Sequence, residues 1–277
     1  MTGYHPWADY PTDDDPLLGA LTGRLKILRN VPGPAASRRR DLLVLVPPSY
    51  ETGTVRFPVV YMHDGQNLFD PATSHAGAWR VDRALDSIRN HGIEAIVVGV
   101  PNAGEDRIGE YSPFRDRRIG GGEGDTYVAW LADDVRRRVD AAFRTRTDPS
   151  VTCLAGSSMG GLISLYALFR RPDAFGVAGA LSPALWFAQR AIFRWLDGLE
   201  TVAGRVYLDA GTAEGPLLLA DVARFRDRLI DRGFRFGRDL RCVIERAGQH
   251  DEASWGRRLP AALRFMLDLA ATGRGTP

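Results

Sequence analysis

The 277-residue chain holds only 2 cysteines. Cys153 and Cys242 both sit inside apolar runs that read as strands. So few cysteines exclude a disulfide scaffold, and no CxxC spacing offers a zinc site, so both are read as buried free thiols. No apolar run approaches the ~20 residues that a membrane-spanning helix needs. Residues 1–15 are polar and acidic, without a charged stretch followed by an apolar one, so the expected compartment is the cytoplasm. An excess of one charge is missing too: 36 Lys+Arg stand against 34 Asp+Glu, a net +2. Nucleic-acid binding calls for a basic patch or stripe. Here the basic residues are nearly all arginine and are spread along the chain. The densest runs, Arg38 to Arg40 and Arg136 to Arg138, read as solvated surface. No internal repeat is present. The glycines at 120, 121, 122 and 124 lack both the G-x-G-x-x-G spacing and a P-loop lysine, and read as a mobile surface loop. His63 and Asp64 have no HExxH around them, and Asp64, Asn67 and Asp70 lack calcium-loop spacing, so they read as structural. Neither a metal nor another cofactor is expected, and neither nucleic acid nor membrane is an expected partner.

What is present is alternation. Short apolar runs at 25–28 and 42–46 come first, the second stopped by Pro47 and Pro48. Further strands are predicted at 59–62, 95–100, 151–155, 177–181, 205–208 and 240–245. Helices are predicted at 81–88, 127–143, 160–169, 188–196, 220–232 and 259–269. The third strand onward alternates with helices, and the short, fully apolar strands suit burial on both faces. This pattern predicts an α/β fold: a mainly parallel central sheet of about eight strands, flanked by helices on both faces. One domain is expected over 1–277, with 1–20 and 271–277 peripheral or flexible. In such sheets the working site lies at the carboxyl ends of the strands.

Gly156–Ser157–Ser158–Met159–Gly160 is G-x-S-x-G between a predicted strand and a predicted helix, the setting of a nucleophile elbow. The two glycines relieve the crowding of a sharp turn, and Ser158 would project from it at a helix N-terminus, where developing negative charge is favoured. A serine hydroxyl needs a base, and His250 is the only histidine after Ser158, in the loop after the last strand. The acid should follow the preceding strand. Asp209, at the predicted strand end, and Glu214, further along the loop, compete. Glu214 is preferred for its reach toward His250 Nδ1. Asp251 and Glu252 read as caps of the next helix. Acyl transfer also needs oxyanion donors. The backbone N–H of Met159 and that of Gln66, in the loop after the third strand, are the candidates. Trp79, Trp186, Phe187 and Trp255 fall near loop or helix-start positions, with Trp79 and Trp186 as possible pocket walls.

The stretch YMHDGQNLFD at 61–70 resembles the opening motif of the Putative esterase family of the α/β-hydrolase superfamily. That family includes enterochelin esterases, feruloyl and acetyl xylan esterases, S-formylglutathione hydrolases and mycolyltransferases. PNAGE at 101–105 and the segments 156–161, 209–215 and 248–252 are similar to family segments as well. The resemblance spans about 25–269 and is nearest the enterochelin esterase-like branch. It implies an α/β-hydrolase fold without a large lid, a Ser158–Glu214–His250 triad and hydrolysis of a small-molecule ester through an acyl-enzyme. An acyltransferase using the same triad, with an alcohol or sugar acceptor, is the alternative.

Overall fold

In a computed structural model of the chain, residues 6–11, 18, 20–35 and 38–268 are described. Most of 1–20 and all of 271–277, expected to be peripheral, lie outside them. Nine strands are present among the described residues: β1 (Ala8–Asp9), β2 (Arg24–Pro32), β3 (Arg39–Val46), β4 (Val59–His63), β5 (Ile96–Val100), β6 (Thr152–Ser157), β7 (Val177–Leu181), β8 (Arg205–Gly211) and β9 (Leu240–Glu245). They form one sheet in the order β1-β2-β3-β5-β4-β6-β7-β8-β9. The first three pair antiparallel up to β5. From β5 through β4 to β9 every pairing is parallel. The strand beyond the expected eight is the two-residue β1, too short to carry an apolar pattern.

From Val81 onward the α-helices are α1 (Val81–Arg89), α2 (Arg107–Glu110), α3 (Gly124–Trp130), α4 (Arg136–Ala142), α5 (Met159–Arg170), α6 (Phe187–Asp197), α7 (Pro216–Asp231) and α8 (Glu252–Met266). A π-turn, Leu131–Val135, joins α3 to α4, so the helix expected at 127–143 is one rod with a widened turn. Strand residues point alternately to opposite faces, and the core divides accordingly. Val59, Tyr61, Val98, Leu154, Ala178 and Leu208 pack on the face covered by α3 to α7. Val60, Met62, Val97, Cys153, Ala155 and Tyr207 pack on the other face, with Val81, Ala84 and Ile88 of α1 and Leu259, Ala262 and Leu263 of α8. Strands buried on both faces are apolar along their length, and that is how β5 and β7 read, and β4 as far as its last residue, His63.

Three expectations need correction. Helix α8 begins at Glu252 instead of 259, because Asp251 caps it (Ser254 N–H donates to Asp251 Oδ1, 2.7 Å) and the chain runs helical through Gly256 and Pro260. Strand β8 continues to Gly211, so Asp209 lies within the strand and not at its end. Of the two free cysteines only Cys153 is fully buried, since Cys242 lies on the half-open edge strand β9. No helix among the described residues is long and apolar enough to cross a membrane.

Candidate active site

All the parallel strands end on one rim, and the sequence-predicted residues gather there. Ser158 joins β6 to α5 with φ 55° and ψ −118°, a conformation that L side chains rarely adopt. The turn is held from both sides: Ser158 N–H donates to Leu181 O (3.0 Å), and Ser158 O accepts from Ala184 N–H (2.9 Å). A Cβ on Gly156 would stand 2.9 Å from the Gly160 carbonyl carbon, so any side chain there would open the turn. Strain of this kind persists only where surrounding bonds over-determine it. The bonds from β7 and its following loop supply that constraint.

Across the rim, His250 and Glu214 are in contact. His250 Nδ1 lies 2.6 Å from Glu214 Oε2. The histidine side chain is 41% exposed, while the carboxylate beneath it is only 1% exposed. Two glycines bring their loops together. A Cβ on Gly211 would be 2.1 Å from Gly248 O, so the loops after β8 and β9 meet backbone to backbone. Ala213 N–H donates to Gly248 O (3.1 Å), and Ala247 N–H to Thr212 Oγ1 (2.8 Å). Burial alone would raise the Glu214 carboxyl. Hydrogen bonds from His250, Ser182 Oγ and the Gly211 N–H outweigh it and hold the group below its usual range. Among the described residues no hydrogen bond joins Ser158 Oγ to His250. Such bonds in unliganded enzymes commonly tighten only when substrate is bound.

Asp209 has a different environment. It is fully buried, accepts from Ser182 N–H (3.0 Å), and faces Arg258 Nε at 3.1 Å from Oδ2. That ion pair is close without being an aligned hydrogen bond. Burial pushes the Asp209 carboxyl up to about 7, with Arg258 and the Ser182 N–H pulling against it. Asp209 therefore braces the strand end, and the carboxylate that touches His250 is Glu214.

The candidate oxyanion donors stand in the first turns of helical segments, where N–H groups have no acceptor inside the helix. Met159 opens α5. Gln66 lies in the 3₁₀ turn Gly65–Asn67, entered through Asp64 at φ 55°. Bonds on both sides fix Gln66: its Oε1 accepts from Asn102 N–H (3.2 Å), and its carbonyl from Thr73 Oγ1 (2.7 Å). Asp64 is clamped by Arg107, Nε to Oδ1 at 2.7 Å and Nη2 to Oδ2 at 2.8 Å. His63, behind the elbow, is buried; its Nδ1 is 2.8 Å from Tyr127 Oη, and burial lowers its pKa to about 4. The pair His63–Asp64 thus supports the loop that carries Gln66.

The tryptophans divide. Trp79 is buried and stacks on Trp255, ring centroids 5.7 Å apart. Trp255 in turn stands edge-on to His250 at 4.9 Å and 83°. Trp186 is 47% exposed at the start of α6, beside Phe187. The next residues after Phe187, Ala188 to Arg190, are left-handed, which no helical periodicity could signal. Sequence reasoning missed Ser182 and Arg258. Their hydroxyl and guanidinium lie under Glu214, yet neither sits in a motif.

Strand order, elbow and rim together define an α/β-hydrolase fold. The model of the family described as Putative esterase matches residues 33–266. The chain belongs to that family and is a carboxylic ester hydrolase. It is similar to the uncharacterized protein YbbA of Bacillus subtilis (strain 168), with 26% identity over 245 residues, 83% of this chain and 93% of that protein. Over 143 residues it is 33% identical to the siderophore triacetylfusarinine C esterase of Aspergillus fumigatus, covering 50% of this chain and 47% of that protein, about half its length. Among solved structures, the siderophore hydrolase EstA from Aspergillus nidulans matches with a TM-score of 0.72 at 21% identity, over 96% of this chain and 100% of that one. That likeness is one of fold.

Proposed function

We propose that the protein hydrolyses carboxylic esters through an acyl-enzyme on Ser158, with His250 as general base and Glu214 as the acid that orients it. The observation that carries this reading is the 2.6 Å contact between His250 Nδ1 and Glu214 Oε2 on the rim that also holds the strained Ser158 turn. A carboxylate at Nδ1 keeps the proton on that nitrogen, which leaves Nε2 free to accept one.

Ser158 Oγ attacks the ester carbonyl carbon while His250 Nε2 takes its proton. Negative charge moves to the carbonyl oxygen, where the N–H groups of Met159 and Gln66 stabilise it. The tetrahedral species collapses, and the leaving alkoxide takes the proton from His250 and departs as the alcohol. Water then attacks the acyl-serine, giving its proton to His250. The acid is released and Ser158 regains its proton. Glu214 stays ionised throughout and stabilises the imidazolium. Siderophore esters are the natural substrates to assay first, because the Aspergillus fumigatus relative is a siderophore triacetylfusarinine C esterase.

The test is hydrolysis of a short-chain p-nitrophenyl ester. Wild-type protein should turn it over, and Ser158→Ala should lose at least about 10³-fold in kcat. Retention of most activity by Ser158→Ala would overturn the assignment of the nucleophile.

A further inference from the structure

Beneath the rim, four side chains close a ring. His250 Nδ1 meets Glu214 Oε2 at 2.6 Å. Ser182 Oγ lies 2.7 Å from the other carboxylate oxygen, Glu214 Oε1. Trp255 Nε1 donates to Ser182 Oγ at 3.0 Å, and the Trp255 ring stands against the His250 ring at 4.9 Å. Arg258 joins from below, its Nη2 donating to Ser182 Oγ at 2.7 Å. The ring draws on the segment after β7, the loop after β8, and the start of α8 with the loop before it.

We propose that Ser182, held by Arg258 and Trp255, is a positioning residue that locks Glu214 against His250. The inference rests on Glu214 and His250 acting as proposed above. Its core is hydrogen-bond directionality. A serine hydroxyl has one proton to give and two lone pairs to receive with. Both partners below it, the Arg258 guanidinium and the Trp255 indole N–H, can only donate. They fill the acceptor positions, so the Ser182 proton is directed to Glu214 Oε1. That oxygen also accepts from Gly211 N–H at 2.6 Å. With Oε1 held twice, the carboxylate cannot rotate, and Oε2 is the atom left for His250.

The local backbone agrees. Ser182 is fully buried and has φ 44°, a conformation in which glycine is the comfortable residue. Its N–H is tied to Asp209 O at 3.1 Å and Asp209 Oδ1 at 3.0 Å. Arg258 is 4% exposed and neutralises a carboxylate cluster, with Asp209 Oδ2 at 3.1 Å, Glu245 Oε2 at 3.2 Å and Glu214 Oε1 at 3.5 Å. A buried cation shared this way favours the charged forms of the carboxylates around it, pulling against the burial that raises Asp209. It also fixes the hydroxyl through which it reaches Glu214.

The decisive variant is Ser182→Gly, which deletes the hydroxyl and relieves the left-handed backbone. Trp255→Phe keeps an aromatic side chain and removes the indole donor, together with part of the ring that packs between Trp79 and His250. Three readouts apply to the full chain: kcat and KM for a p-nitrophenyl ester, the rate at which a fluorophosphonate labels Ser158, and the downfield proton NMR resonance of His250 Nδ1–H. Ser182→Gly should lower kcat and labelling rate by about ten- to a hundredfold, the worth of a hydrogen bond to a charged group, with KM little changed. The Nδ1 proton resonance should weaken or move upfield. Trp255→Phe should lose about two- to tenfold. A role confined to stability would lower the urea midpoint and leave the resonance and the per-molecule labelling rate alone. Wild-type protein labelled on Ser158, with folded Ser182→Gly labelled equally fast, overturns the positioning role. Should Ser182→Gly not fold, Trp255→Phe with wild-type kcat and resonance does the same. Wild-type labelling on a residue other than Ser158 instead overturns the mechanism beneath the proposal.

Discussion

Two histidines stand at the carboxyl end of the sheet, and each has an aspartate as its next residue. His63 closes β4 and is 2% exposed, with Nδ1 against a phenol, Tyr127. Its neighbour Asp64 turns away to Arg107 and Asn102. His250 follows β9, is open to solvent, and sets Nδ1 against Glu214, 36 residues away in sequence. Its neighbour Asp251 turns away to cap α8. Adjacency in the chain therefore pairs neither histidine with an acid. Adjacency of strands does, because β8 and β9 are neighbours and deliver Glu214 and His250 to the same place. The first region is a buried brace with a depressed pKa; the second is a hydrogen-bonded pair whose histidine opens to solvent, and the proposed mechanism sets it against the substrate.

The largest effect expected from this contrast is on turnover. His250→Ala should lose about 10³-fold or more in kcat toward a p-nitrophenyl ester. His63→Phe should lose far less kcat than that while losing about 1–3 kcal/mol of stability, since Tyr127 Oη loses its buried partner. Equal losses of kcat in both folded variants would break the comparison. The two acids sharpen it further. Glu214→Gln should lower kcat at least about 100-fold, as loss of the orienting acid does in related triads. Asp209→Asn takes from the buried Arg258 one of the three carboxylates around it, so it should act first on stability, by about 1–3 kcal/mol in urea denaturation. A larger kcat loss from Asp209→Asn than from Glu214→Gln would reverse the assignment.

A smaller effect follows from pH. His63 titrates near 6.5 when unfolded and at about 4 in the folded protein, because burial disfavours its charged form. Between those values the unfolded chain binds more protons, so stability falls as the pH falls from 6.5 toward 4 and this contribution levels off below. The span corresponds to about 3 kcal/mol at most. In urea melts across this range, His63→Phe should flatten the slope relative to wild type, and an unchanged slope would exclude His63 as its source.

The alternation of strands and helices, and the strand–turn–helix setting of Ser158, were readable because both are written locally, in apolar spacing and in two glycines four residues apart. Other features were not. The left-handed stretch Ala188 to Arg190 obeys no side-chain period. The start of α8 was placed too late, at 259, where the dense apolar spacing begins; the helix itself starts at Glu252, beside the Asp251 cap that the sequence did offer. The extension of β8 over Asp209 blurred the choice between two acids, since a buried carboxylate inside a strand looks from sequence like a strand end. Ser182 and Arg258 lie 76 residues apart and belong to no pattern. Only the fold places that hydroxyl beneath Glu214.

The central claim is that Ser158 is the nucleophile, and covalent trapping tests it most directly. Wild-type protein would be treated with a fluorophosphonate, digested and mapped by mass spectrometry. A single adduct on Ser158 is expected, absent from Ser158→Ala. An adduct on another residue, or none on protein that hydrolyses esters, would contradict it.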